Sequence, residues 1–196
     1  MTKNIGVKTG IMQPLVSSKV QPVSRNGEQP LSFAQQRLWF LDRLEPGNPF
    51  YNISAVVYMS GLLDTAAFER AINEVMRRHE VLRSTFTTID GQPAQNTAET
   101  LQLHIPLIEL PNLPEAEKES EVQRLITEEA QRPFDLAAGP LLRATLLKTG
   151  EREHVLLLTM HHIVSDGWSM GVLMREVGLL YVSYANGRPS PLPELP

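Results

Sequence analysis

Residues 154–162, "HVLLLTMHH", constrain the fold more than any other stretch of the chain. Written as a strand, they send successive side chains to opposite faces. Leu156, Leu158, Met160 and His162 then share one face, and Val155, Leu157, Thr159 and His161 share the other. Both faces are mostly apolar, so such a strand belongs in the middle of a sheet with packed layers on either side.

The rest of the chain supplies those layers. "LSFAQQRLWFLDRLEPG" (31–47) reads as a helix, with Ser32 as N-cap, Ala34, Leu38 and Leu41 at helical spacing, and Pro46-Gly47 as the stop. After Asp64, a cap, "TAAFERAINEVMRRHE" puts Phe68, Ala71, Ile72, Val75 and Met76 on one face. "EAEKESEVQRLITEEAQ" is amphipathic and stops before Pro133. "GWSMGVLMREVGLLYVSYANG" turns Met170, Leu173, Val177, Leu180 and Tyr184 inward and ends at Asn186-Gly187. "YNISAVVYMSG" is strand-like, and "LRSTFTTIDGQPAQNT" is a hairpin around Asp90-Gly91. Residues 101–109 are expected to form a short strand, and 141–149 and 153–162 two more. Helices interleaved with hairpins predict an α/β layered sandwich, a mixed sheet flanked by helices.

At 196 residues the length suits one domain. Residues 1–30 show no sustained periodicity and read as a flexible leader or linker, while four prolines in the last eight residues make 188–196 a stiff connector. A net charge of −4 gives no footprint for nucleic acid or an anionic membrane. There is no cysteine, which removes disulfides, thiol nucleophiles and thiolate metal sites. No apolar run approaches the ~20 residues of a membrane helix. Neither a membrane nor a nucleic-acid partner is expected, and a cytoplasmic location is.

The chemistry-bearing stretch is "MHHIVSDGWSM" (160–170). On a strand, His161 and His162 point to opposite faces and cannot jointly ligate one metal without a bend, so no metal site is expected. Ser165, Asp166 and a histidine along one tight turn cannot line up in series as a triad. What remains is one imidazole at a strand end. Asp166 can simply cap the helix that follows, and Gly167 can simply permit an unusual backbone angle.

Four blocks carry a resemblance beyond this. "MHHIVSDGWS" (160–169), with His161, His162, Asp166 and Gly167, resembles the active-site signature of condensation domains of nonribosomal peptide synthetases. "SFAQQRLWFL" (32–41), "RHEVLRSTF" (78–86) and "RPFDLAAGPLLR" (132–143) resemble further blocks of that family, in family order. The resemblance covers about residues 31–187. It implies a chloramphenicol acetyltransferase-like half domain, the N-terminal lobe, with 188–196 as the interlobe linker and the C-terminal lobe absent. "AQQRLWFLDRLEPGNPFYNI" looks most like the subtype joining two L-configured residues.

The implied reaction is amide formation between two thioesters held on phosphopantetheine arms of donor and acceptor peptidyl carrier proteins, with no cofactor bound by this chain itself. Neighbouring synthetase domains are the further partners, and the isolated lobe is expected to be inactive. The resemblance gives His162 the catalytic role, as a base or as a hydrogen-bond partner of the amine; an imidazole, titrating near ~6.5, suits either. His161 is expected to be structural. Asp166 is expected to pair with Arg83, or alternatively Arg78, and so hold the loop that presents His162; loss of one member of a buried pair is strongly destabilising. Gly167 is expected to leave room in the channel. Leu38, Trp39 and Phe40 are expected to pack beside Arg37. A non-catalytic carrier-docking module and a CoA-dependent acyltransferase are the alternatives.

Overall fold

The computed structural model describes residues 29–110 and 112–195. Nearly all of the expected leader, residues 1–28, lies outside the described residues. In chain order the elements are β1 (Gln29–Pro30), α1 (Phe33–Leu44), β2 (Asn52–Ser60), α2 (Thr65–Arg78), β3 (Ser84–Ile89), β4 (Gln92–Thr97), β5 (Leu107–Glu109), α3 (Glu115–Gln131), β6 (Leu142–Lys148), β7 (Glu153–His161) and α4 (Gly167–Ala185), with short 3-10 turns at Pro49–Tyr51 and Glu80–Arg83. Two sheets result, one ordered β2-β7-β6-β5 and a smaller one ordered β1-β4-β3. β5 runs parallel to β6 while the other pairs are antiparallel, so the larger sheet is mixed.

β7 is flanked on both edges, by β2 over nine residue pairs and by β6 over seven. Its faces separate as the alternation requires. Leu156, Leu158 and Met160 join Phe68, Ile72 and Val75 of α2 and Leu173, Val177 and Leu180 of α4 in the main core. Val155 and Leu157 join Val122 of α3 in a second, smaller core on the opposite face. The helices therefore cover β7 from both sides. The α2 face expected from spacing is the buried one. At the hairpin, Asp90 and Gly91 both take positive φ, 49° and 79°, the geometry of a two-residue turn matched to strand twist.

Four expectations need correction. Gln29 and Pro30, assigned to the leader, pair with Gln95 and Ala94 as an added strand on the small sheet. In α1 the capping box is present, with Ser32 and Gln35 each bonding the other's backbone N–H, but the helix buries no residue. Leu38 and Trp39 reach the core, whereas Phe33, Phe40 and Leu44 stay exposed. Periodicity shows that a helix has an apolar face, not that this part of the chain covers it. Strand pairing in 101–109 is confined to β5. The terminal segment is docked: Leu192 packs on the core, Arg78 Nη1 donates to the Pro193 carbonyl at 2.9 Å, and Arg77 pairs with Glu194 at 2.7 Å.

Leu158→Ala, at a position with no exposed surface, is expected to lower the free energy of unfolding by about 2–5 kcal/mol. Leu62→Ala, at an 80% exposed position, is expected to change it by under about 0.5 kcal/mol. Urea titrations of both variants against the parent check this.

Candidate functional site

The site forms where β7 ends. His161 is its last residue and is buried, while His162, the next, is exposed. Two backbone bonds set that boundary: His161 N–H donates to the Leu141 carbonyl at 3.1 Å, and His162 N–H donates to the Tyr51 carbonyl at 2.8 Å. The chain then turns, with Val164 N–H donating to the His161 carbonyl at 3.1 Å. Buried Ile163 and Val164 tie this turn to the core.

The two imidazoles are held in opposite tautomers. His162 Nδ1 lies 2.7 Å from the Ser165 carbonyl oxygen. A carbonyl only accepts, so Nδ1 carries the hydrogen, and in the neutral ring Nε2 keeps its lone pair. His161 Nδ1 instead accepts the Ile163 N–H at 3.1 Å, which puts its ring hydrogen on Nε2. His161 stands edge-on to Phe134, with ring centroids 6.2 Å apart. Burial, reinforced by neighbouring His162, pushes the His161 imidazole down to about 4. At neutral pH it is an uncharged packing residue.

Asp166 does not meet an arginine. It is the N-cap of α4, and its Oδ1 accepts from the Ser169 backbone N–H and from the Ser169 hydroxyl, both at 2.7 Å. Those bonds hold its carboxyl below the usual range. The expected pairing fails because both arginines are used elsewhere. Arg83 Nε donates to the Met76 carbonyl at 3.0 Å, and its terminal nitrogens bond the carbonyls of Arg77, Ala98 and Glu99. It thereby satisfies acceptors that the last turn of α2 leaves open and ties them to the chain after β4. Arg78 bonds Glu176 in the interior. Gly167 opens α4 without a positive φ, so the unusual-angle reading does not apply to it. A Cβ there would meet nothing within 4 Å. Trp168 beside it is 83% exposed.

Glu176 is a residue that sequence reasoning missed. It is buried on α4 among Leu173, Val177 and Leu180. Its Oε2 lies 3.2 Å from Arg78 Nε and 2.9 Å from His79 Nε2. Burial works against its ionised form, but the bonds from His79 and Arg78 outweigh that and hold the carboxyl below its ordinary range. A signal was present: a glutamate inside an inward stripe needs a partner, and Arg78-His79 closes the preceding basic helix end.

A mixed sheet flanked by helices is the fold that this chain shares with condensation domain structures. A model of the condensation domain matches residues 25–196, and the chain belongs to that family. It is 48% identical over 180 residues to a linear gramicidin synthase of Brevibacillus parabrevis, covering 92% of this chain and 2% of that protein. It is 44% identical over 171 residues to phosphinothricin tripeptide synthetase PhsC of Streptomyces viridochromogenes, covering 87% and 16%. The crystal structure of the starter condensation domain of rhizomide synthetase RzmA superposes with a TM-score of 0.77 at 27% identity, over 84% of this chain and 41% of that one. The chain thus spans a small part of these synthetases and about two fifths of that domain structure.

Two outcomes are expected. Because the folded pKa of His161 lies below the unfolded ~6.5, the unfolded chain takes up the proton first. The stability His161 contributes is therefore complete above ~6.5 and is lost as pH falls towards about 4, at up to ~1.4 kcal/mol per pH unit. In His161→Asn, whose side-chain oxygen can accept the Ile163 N–H, this part of the pH dependence disappears; unfolding free energies at pH 7 and pH 5 measure it. Secondly, Glu176→Ala leaves Arg78 buried without its carboxylate and costs about 3–5 kcal/mol. Asp166→Ala removes only a cap and lowers the thermal midpoint without abolishing the fold.

Proposed function

We propose that this chain carries the histidine-bearing half of an amide-forming condensation site in nonribosomal peptide synthesis. Donor and acceptor are aminoacyl or peptidyl thioesters on the phosphopantetheine arms of two carrier proteins, both L-configured. The acceptor α-amine attacks the donor thioester carbonyl. The C–N bond forms, the C–S bond breaks, the donor arm leaves as a thiol, and the lengthened chain stays on the acceptor arm. A thioester is already activated, so holding both partners in place supplies much of the rate.

His162 handles the proton that the amine must lose. The single observation carrying this assignment is the 2.7 Å contact of Nδ1 with the Ser165 carbonyl, which leaves Nε2 free to accept from the amine on an exposed ring. The thiolate takes up the equivalent of that proton on leaving. Gly167, where a Cβ would meet nothing within 4 Å, is assigned to leave room for the approaching substrates. His161, Asp166, Arg78 and Arg83 hold the scaffold. The reaction belongs in the cytoplasm; no helix among the described residues is long and apolar enough to cross a membrane.

Intact-protein mass spectrometry of the acceptor carrier tests this, using the chain within its complete condensation module and both loaded carriers. A dipeptidyl mass is expected with the parent, and His162→Ala is expected to slow its appearance by about 10²–10⁴-fold with the fold retained. Equal rates in parent and variant would sink the role of His162. Carrier binding without any product would favour a docking module, and product from acyl-CoA but not from a loaded carrier would favour a CoA-dependent acyltransferase.

A further inference from the structure

A cavity of about 140 Å³ opens between the end of α2, the 3-10 turn that follows it and the start of α4. Val75, Val81, Leu82, Met160 and Leu173 give it an apolar wall. The polar side chains around it already have partners: His79 Nε2 is 2.9 Å from Glu176, the Ser169 hydroxyl donates to Asp166 at 2.7 Å, and the Ser165 hydroxyl reaches the Asp166 carbonyl at 3.4 Å. Water inside it would find little to bond to.

Trp168 also lines the cavity, yet 83% of its surface is exposed. An indole left in water beside an unfilled apolar cavity is in the less favourable of two places. The local geometry lets it change between them. Helical side chains lean towards the N-terminus and cover the turn before their own position. For residue 168 that surface is Val164 and Ser165, and both line the cavity. Trp168 is the second residue of α4, so no earlier helical turn blocks its χ1 rotamers. Beside it Gly167 leaves open space, since a Cβ there would meet nothing within 4 Å. The size fits as well: an apolar cavity of roughly 150 Å³ takes up benzene, and the larger ring of an indole has the same six-membered outline.

We infer that Trp168 is a two-position side chain that acts as a lid: swung out as in this structure, or seated in the cavity over Val164 and Ser165. Seated, its six-membered ring meets the apolar wall. It then covers Ser165, whose carbonyl holds His162 Nδ1 at 2.7 Å, and closes the cavity to any other apolar group. Swung out, it uncovers both. A surface that packs against the indole draws it outward by as much as that surface prefers the outward position. The inference rests on the shape and lining of the cavity and is independent of the reaction the domain performs.

Fluorine NMR of the 196-residue chain, labelled with 5-fluorotryptophan, tests this. The chain has 2 tryptophans, and Trp39→Phe assigns the signals. The change in chemical shift between light and heavy water reads the exposure of the Trp168 ring. In the parent it is expected to be about half or less of that of free 5-fluorotryptophan, because the ring is seated for at least that share of the time. Val81→Phe, at a half-buried position on the wall, fills the seat and is expected to restore the full solvent effect. Benzene added to the parent competes for the same seat and is expected to do likewise, with no substitution to endanger the fold. A full solvent effect in the parent overturns the proposal. So does a reduced effect that neither Val81→Phe nor benzene changes, since the ring is then shielded somewhere other than the cavity.

Discussion

A carboxylate with almost no contact with water sits between α2 and α4. Glu176 can remain ionised there only because Arg78 and His79 deliver hydrogen bonds to the same oxygen. That requirement fixes the end of α2 against the middle of α4. It also fixes the N-terminus of α4, and with it the turn that carries His162. The terminal segment closes the arrangement from outside, since Arg78 uses a second nitrogen on the Pro193 carbonyl while its neighbour Arg77 meets Glu194.

Each of the four sequence blocks solves a local problem of unsatisfied backbone or buried charge. Ser32 and Gln35 cap α1 reciprocally. Arg78 and His79 neutralise Glu176, and Arg83, in the same block, takes up open carbonyls at the end of α2. Arg143 does the matching work at the end of α3: it pairs with Glu129 at 2.6 Å, donates to the Arg132 carbonyl at 2.7 Å, and lies 3.7 Å from the centre of the Phe134 ring. Burial depresses the guanidinium's pKa even so, which marks how far it has been drawn from solvent. Asp166 caps α4. The three arginines, Arg78, Arg83 and Arg143, thus belong to two of the four blocks and brace helix ends there.

Much of the fold was legible from the sequence because it follows from period and punctuation. The alternation in β7, the inward face of α2 and the Asp90-Gly91 turn each depend on residues a few positions apart. The errors fall where the answer depends on distant partners. Asp166 can cap a helix or pair with an arginine, and local sequence supports both; the competition is decided by Glu176, nearly one hundred residues from Arg78 along the chain. Helix α1 and its Ser32 cap came out as expected, but the packing expected of its apolar residues held only in part: Leu38 and Trp39 reach the core while Phe40 stays exposed. The site followed the same division. The strand's two faces separate the histidines but do not say which one is exposed, and the choice of His162 came from the family resemblance; the tautomers were not readable at all, because they are set by Ile163 N–H and the Ser165 carbonyl.

The adjacent histidines also show why the strand must end where it does. Were β7 to continue by one residue, the second ring would face the packed layer that already covers Met160 and would lose its water. Ending the ladder at His161 gives one imidazole to the core and the next to solvent, two residues in a row, with no change of residue type. Burial then keeps His161 uncharged, so it adds no positive charge next to His162, where a proton would have to be accepted. The same step from sheet to turn brings the Ser165 carbonyl under Nδ1 and starts α4 at Gly167. Ring orientation, ring tautomer and the shape of the cavity behind the turn thus follow from a single event, the end of the central strand.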